Sequence, residues 1–342
     1  MQLLREIVYR TPLTTRFRGL DVRDGLLLRG DAGWGELSPF WDYDDAESMT
    51  WLRAAREAAD VGFPAPVRDR VPVNVTVPAV GPERAREIVL ASGGCRTAKV
   101  KVAQRGPSVD GRPGALEPLE AEEARVAAVR AALDEVHGRA GGSRVGAIRV
   151  DANGGWSTDE ALARIPVLDA AAGGLEYVEQ PCATVPELAA VRRGLRSPVP
   201  VAADESIRRA ADPLRVVRED AADVVVLKVQ PLGGVRACLD LAEQVGLPVV
   251  VSSALESSVG LAAGVALAAA LPELPFACGL ATSQLLAHDV VADPLLPVDG
   301  ALPVRRPAPD AAALAAAEPD PATRERWLAR YARLSALLEA AA

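Results

Sequence analysis

From Val71 onward the apolar residues fall into two alternating textures. Short runs dense in Val, Ile and Leu are separated by longer stretches in which apolar positions recur every three or four residues. The runs predict buried strands and the stretches amphipathic helices. Strands are expected at Val71–Val77, Arg96–Val102, Val145–Asp151, Leu175–Glu179, Val199–Ala203, Asp223–Val229, Pro248–Ser252 and, with the weakest pattern, Phe276–Gly279. Between them helices are expected at Pro82–Ala91, Ala121–Val136, Thr158–Ala171, Val185–Gly194, Pro213–Arg218, Val235–Val245 and Val259–Ala270. Such alternation builds a parallel sheet from βα units, and eight strands suffice to close it into a barrel with the helices outside.

The flanks read differently. Up to about Arg70 the pattern is mixed, with a strand-like run at Gly25–Arg29, a turn at Gly33-Trp34-Gly35-Glu36 and a helical stretch from Asp44 to Asp60. A small α+β lobe is expected there, with Trp34, Trp41 and Trp51 as core candidates. The loop Thr14–Gly19 is placed to close over a ligand. Gln104–Pro118, rich in Gly and Pro, reads as an extended, mobile loop. Beyond Leu285 the chain turns Pro- and Ala-rich, with low complexity at Ala311–Ala317. It then enters a helix over Ala322–Ala341 whose apolar face, Trp327, Leu328, Tyr331, Leu334, Leu337 and Leu338, is expected to dock on the N-terminal lobe.

Composition narrows the classes. Apolar residues at 49% favour a large packed core, and a net charge of −8 argues against a nucleic-acid partner. An anionic substrate would have to be attracted locally. Cys95, Cys182, Cys238 and Cys278 lie far apart with no C-x-x-C pair, so neither a zinc site nor a disulfide framework is expected. No charged leader precedes a long apolar run, and the Ala-rich Leu261–Leu271 is too short to span a bilayer, so a cytoplasmic location is expected.

Charge type is more telling than charge balance. Of 38 basic residues all but Lys99, Lys101 and Lys228 are arginine. Arginine cannot surrender its proton near neutral pH and lysine can, so lysine retained in so Arg-biased a chain points to acid–base work. Lys99 and Lys101, two apart on one strand, leave it from the same face.

Acids stand at the carboxyl ends of three successive strands: Asp151, Glu179 and Asp204, at intervals of 28 and 25 residues. In a barrel these positions line one mouth. Three carboxylates there require compensation, and hard oxygen ligands without His or Cys point to Mg²⁺. Helix N-caps are the competing explanation for acids after strands. Lys101 lies one strand before this set and Lys228 one after, so the two lysines would face each other across the metal, and a carbon acid bound between them could lose its α-proton to one of them. Lys99 would support Lys101 through like charge, and Asn153 or Glu205 would hold neighbouring groups. Gly233-Gly234, ahead of a helix, reads equally as an anion cradle or a tight turn.

These residues, the K-x-K pair at Lys99 and Lys101, the acids Asp151, Glu179 and Asp204, and Lys228, resemble the enolase superfamily and its muconate-cycloisomerase-like subgroup. The resemblance covers nearly the whole chain. It implies an α/β fold, a modified TIM barrel, (β/α)7β, over residues 71–285. An α+β capping domain would be built from residues 1–70, with a C-terminal segment, 286–342, packing on it. It implies Mg²⁺ on Asp151, Glu179 and Asp204, with Mn²⁺ able to substitute, and Lys101 and Lys228 as catalytic residues. Lys99, Asn153, Glu205, Ser252, Ser253 and Gly279 would support them or contact substrate. The start of the barrel, Val71-Pro72-Val73-Asn74-Val75-Thr76-Val77-Pro78, and the loop Ser252–Ser258 look like the branch that dehydrates 2-succinyl-6-hydroxy-2,4-cyclohexadiene-1-carboxylate to o-succinylbenzoate in menaquinone biosynthesis. The implied partner is a small-molecule carboxylate, the implied state a monomer or homo-oligomer. Racemisation of N-succinylamino acids is the near alternative, and a Schiff-base aldolase or a non-catalytic ligand-binding barrel the remote ones. His137 and His288 lie outside the strand ends, and no D-x-D follows Cys278, which disfavours His–Asp relatives and dipeptide epimerases.

Overall fold

In this computed structural model, residues 6–107, 114–140, 143–210 and 212–340 are described. Seven strands, Asn74–Val77, Thr97–Lys101, Ala147–Asp151, Leu175–Glu179, Val201–Ala203, Val224–Leu227 and Val249–Val251, pair side by side in chain order, all parallel. The expected eighth strand shrinks to Cys278-Gly279, yet that pair joins the two edges. Asn74 N–H donates to Cys278 O (2.9 Å) and Cys278 N–H to Pro72 O (2.7 Å), while Ser253 N–H donates to Gly279 O (3.1 Å) and Gly279 N–H to Val251 O (2.8 Å). Each edge of the sheet thus finds its hydrogen bonds without a full strand.

The barrel interior is filled. Tyr177, Ala202, Val224, Val226 and Val250 are buried together with Phe276 packed on them. The Arg149 guanidinium lies 4.7 Å from the Tyr177 ring and donates to Glu176 Oε2 (2.5 Å), Ala277 O (2.7 Å) and Asn74 Oδ1 (3.1 Å). This plug leaves room for chemistry at the carboxyl ends of the strands.

Helices cover the outside, and their starts bear on the acids. Ser157 caps Thr158–Ala172 and Thr184 caps Val185–Gly194, each in a capping box with a Glu three residues on. Each cap is worth about 1 kcal/mol. Asp204 occupies the N-cap position of Glu205–Arg208, but its side chain makes no capping bond. The carboxylates of Asp151, Glu179 and Asp204 are therefore not spent on helix ends. The helix Val235–Val245 after Gly233-Gly234 is capped from outside: Glu57 Oε2 accepts from Val235 N–H at 2.6 Å. A protein carboxylate fills the anion position considered for the two glycines.

The N-terminal lobe is an antiparallel sheet, Glu6–Phe17, Leu20–Gly30 and Gly33–Leu37, backed by the helix Asp45–Arg56. Gly33–Glu36 is strand, not turn. Its glycines serve close approach, since a Cβ on Gly35 would lie 2.0 Å from Ala55 O of the helix. Of the three tryptophans only Trp51 is fully buried, while Trp34 and Trp41 sit half-buried. The helix Pro321–Ala340 docks here. Trp327 and Leu334 are buried with Val8, Leu26 and Trp51, and the buried Arg330 donates to Tyr43 O and Ser48 Oγ, both at 2.7 Å. Leu328 and Leu337 are exposed, so the docking face is narrower than the sequence pattern implies. The low-complexity stretch forms a short helix, Ala311–Ala316, capped by Asp310. Of the Gln104–Pro118 loop, residues 108–113 lie outside the described residues; Arg105 bridges Leu116 across its base. No helix among the described residues is long and apolar enough to cross a membrane.

Candidate active site

Strand register decides which side chains meet. Lys101 pairs with Asp151 and Asp151 with Glu179 across neighbouring strands, and alternation turns Lys99, Lys101, Asp151 and Glu179 into the barrel mouth. Lys101 Nζ donates to Asp151 Oδ2 (2.5 Å) and Asn153 Oδ1 (2.7 Å). Lys99 Nζ lies between two acids, 2.9 Å from Glu179 Oε1 and 3.3 Å from Asp151 Oδ2. Its charge is met by those carboxylates rather than turned on Lys101, unlike the like-charge support expected. Across the mouth Lys228 Nζ donates to Asp204 Oδ2 at 2.6 Å, and Arg208 Nε takes Asp204 Oδ1 at 3.0 Å.

All three acids are at most 1% exposed. Burial and repulsion from Asp151 push the Glu179 carboxyl up to about 7. Burial acts the same way on Asp151, but Lys101 and Lys99 overcome it and hold that group well below the usual carboxylate range. Asp204 is likewise held low against burial by Arg208 and Lys228. Burial lowers the proton affinity of Lys228, with Asp204 opposing.

The donor set fits a hard divalent cation: carboxylate oxygens only, desolvated, and close enough together for Asp151 to repel Glu179. In the conformations present here each carboxylate faces an ammonium group, and among the described residues no three acidic, His or Cys side chains converge as a ready ligand cage.

One cavity over this floor is lined by Lys99, Lys101, Asn153, Lys228, Ser252, Ser253 and Gly279. Glu205 stands outside it, receiving Asn153 Nδ2 (3.2 Å) and Arg208 Nη2 (2.5 Å). The segment expected as a loop, Thr14–Gly19, is instead the end of the strand Glu6–Phe17 and a two-residue turn at Arg18-Gly19, and it brings Phe17 and Arg18 into the wall, with Lys101 Nζ 5.5 Å from the Phe17 ring centre. Sequence reasoning reached that segment but not those residues, because one aromatic at the end of a strand sets no periodicity of its own. Tyr43 and Arg208 were missed altogether; Arg208 donates to the Tyr43 hydroxyl while holding Asp204, linking the lobe to the mouth. Of the histidines, His137 Nε2 is 3.0 Å from Cys95 O, and neither lines the cavity. A larger cavity, about 930 Å³, opens between Leu239–Val249 and Ala270–Pro275, far from these groups.

Comparison with known proteins agrees with this geometry. Residues 8–59 match the model for the enolase N-terminal domain-like family and residues 82–310 that for the enolase C-terminal domain-like family. The chain is 61% identical over 332 residues to the o-succinylbenzoate synthase of Thermobifida fusca, covering 97% of this chain and 96% of the relative. It is 52% identical to that of Mycolicibacterium smegmatis, over 97% and 95%. Among solved structures, muconate lactonizing enzyme from Pseudomonas fluorescens superposes with a TM-score of 0.72 at 22% identity, over 92% of this chain and 97% of that one. The L-Ala-D/L-Glu epimerase from Bacillus subtilis follows at 0.69 and 22%, over 90% and 98%. At that identity the structures speak for the fold alone.

Proposed function

The chain belongs to the enolase superfamily and, within it, to the o-succinylbenzoate synthase family, and on that premise we propose that it dehydrates 2-succinyl-6-hydroxy-2,4-cyclohexadiene-1-carboxylate to o-succinylbenzoate. The observation that carries the reading is the juxtaposition of Lys101 and Lys228 with three buried acids in one mouth. Asp151, Glu179 and Asp204 would hold Mg²⁺, or Mn²⁺ in its place, which supplies dense positive charge for the substrate carboxylate.

The remaining work belongs to the chain. Lys101, with a 13% exposed side chain, is the more accessible of the two opposed lysines and removes the proton next to the ring carboxylate. Asn153 Oδ1 and Asp151 aim its Nζ. In a syn elimination the same nitrogen then returns its proton to the departing hydroxyl, so one C–H and one C–O bond break and water leaves. Lys228, 5% exposed and tethered by Asp204, stays cationic beneath the flattened ring. Such a desolvated cation–π contact is worth about 2 kcal/mol. Lys99 is spoken for by Glu179 and orders it. Asn153, Ser252, Ser253 and Gly279 shape the wall, with Glu205 supporting Asn153 from outside. We assign a cytoplasmic location, which four cysteines without disulfide partners support.

The test is direct: purified protein with Mg²⁺ is given the cyclohexadiene carboxylate and, separately, an N-succinylamino acid. Formation of o-succinylbenzoate is expected. Rapid racemisation of the amino acid with no o-succinylbenzoate would overturn the substrate while leaving the family intact.

A further inference from the structure

A second group of buried acids sits where the N-terminal lobe meets the barrel, and it reaches the active-site wall. Glu36, 2% exposed, is the last residue but one of the strand Gly33–Leu37. Its carboxylate accepts from Tyr9 OH (2.7 Å) and Ser38 Oγ (2.7 Å) on the lobe side. On the barrel side it accepts from Ser257 N–H (3.1 Å), Gly260 N–H (3.1 Å) and the Ser257 hydroxyl. Those barrel donors are the start of the helix Ser258–Ala270, capped by Ser257. Room for the contact is built in: a Cβ on Gly260 would lie 2.8 Å from Glu36 Cδ.

The segment just before that helix, Ser252–Leu255, is cavity wall. It is tied to the lobe a second time, by Arg23 Nε donating to Leu255 O at 2.9 Å. Leu255 carries a φ of +66°, which a branched side chain adopts only when its surroundings dictate it. So held, Leu255 packs with Phe17, the ring beside Lys101 Nζ.

We infer that Glu36 is a positioning residue for the dehydration: it fastens the wall Ser252–Leu255 to the lobe and thereby fixes where Phe17 and Leu255 hold the reacting carbon against Lys101. The inference rests on the proposed function. Misplacement of a reacting centre by about 1 Å costs on the order of 10²-fold in rate, so the effect belongs in kcat rather than in ground-state binding.

The experiment measures kcat for the cyclohexadiene carboxylate and Kd for o-succinylbenzoate in Glu36→Gln, Ser257→Ala, their double variant, Ser38→Ala and Tyr9→Phe. Glu36→Gln is expected to lower kcat roughly tenfold or more, with Kd changed much less. Ser257→Ala should lower kcat in the same sense, and the double variant should be no worse than Glu36→Gln, since both cut one connection. Ser38→Ala and Tyr9→Phe, which remove only lobe-side donors, should leave kcat near the wild-type value. A normal kcat in Ser257→Ala, or equal losses in Ser38→Ala and Ser257→Ala, would make Glu36 a folding residue of the lobe and overturn the inference. Should Glu36→Gln fail to fold, the contrast between Ser257→Ala and Ser38→Ala decides alone. Wild-type protein that forms no o-succinylbenzoate overturns the dehydration and this inference with it; wild-type protein that forms it, beside an unimpaired Ser257→Ala, overturns this inference only.

Discussion

The protein buries acids in two places by two different means. In the mouth, Asp151, Glu179 and Asp204 face the ammonium groups of Lys101, Lys99 and Lys228 at 2.5, 2.9 and 2.6 Å. At the seam between lobe and barrel, Glu36, Glu256 and Asp289 are held by N–H and O–H groups: Glu256 by Ala254 N–H at 2.9 Å, Asp289 by Ser258 Oγ at 2.6 Å. Burial raises the proton affinity of all three seam acids, Glu256 to about 7 with Glu36 adding repulsion. Asp151 and Asp204 go the opposite way, because full positive charges oppose burial there. Amides are fixed by the backbone, whereas a lysine can move and trade a proton. The seam acids are thus held by fixed donors, while the mouth acids sit against mobile charged groups of the kind the proposed reaction needs.

The sharpest way to break this contrast is to delete mouth acids. Asp151→Ala, Glu179→Ala and Asp204→Ala should each lower turnover roughly 10³-fold or more with far-UV circular dichroism retained; collapse of the fold at unimpaired specific activity would reduce the mouth to another seam. Lys101→Arg should be as inactive as Lys101→Ala, a loss of about 10²–10⁴-fold, since arginine keeps the charge but cannot accept a proton. A near-normal rate in Lys101→Arg would leave that residue a purely electrostatic role. Exhaustive chelation should abolish turnover and Mg²⁺ restore it, and full activity in chelator would remove the metal from the mouth.

A smaller effect sharpens the seam. With the folded-state carboxyl of Glu256 raised to about 7 from an ordinary 4.5, the folded protein binds the extra proton between those values. Its contribution is then full below pH ~4.5 and lost as pH rises through ~7, a change on the order of 1–3 kcal/mol. Glu256→Gln should flatten that decline, read as a smaller fall of Tm between pH 5 and 8 than in the wild type. An unchanged slope would show that the seam acid does not titrate there. The smallest effect is expected at the surface, where Arg333 Nε meets Asp45 at 3.0 Å with both side chains partly exposed. Arg333→Ala should change stability by under about 1 kcal/mol in urea melts, and a larger loss would mean that an exposed pair can rival the seam.

The sequence made the mouth more readable than the seam for a physical reason. Each mouth residue stands at a strand end, and strand periodicity gives both its place and its direction. Leu175–Glu179 and the helices Val185–Gly194 and Val235–Val245 are found at their expected bounds. The seam has no such local signal, because the donors to Glu36 on the barrel lie 221 and 224 residues away. Read locally, Gly33-Trp34-Gly35-Glu36 is a turn; only the helix pressed against Gly35 shows that the glycines make space in a strand. Cys278-Gly279 gave a weak strand pattern because its pairing is two backbone bridges, Val73 to Cys278 and Ser252 to Gly279, and little else. Leu328 and Leu337 misled for the converse reason: helical spacing marks an apolar stripe, but the width of the groove that receives it is set elsewhere.

The lobe is sealed by residues from opposite reaches of the chain: Arg330 donates to Ser48 Oγ across 282 positions, with the whole barrel between them. A ribosome adding about 5–20 residues per second takes on the order of tens of seconds to cover that interval. During it, Trp51 and its neighbours wait without Trp327 and Leu334, their apolar faces open to water and to other nascent chains. The barrel can close first, and the lobe over its mouth only when the helix Pro321–Ala340 clears the exit tunnel. Until that helix is made, the apolar surface of the lobe that Trp327 and Leu334 cover in the finished protein stays open.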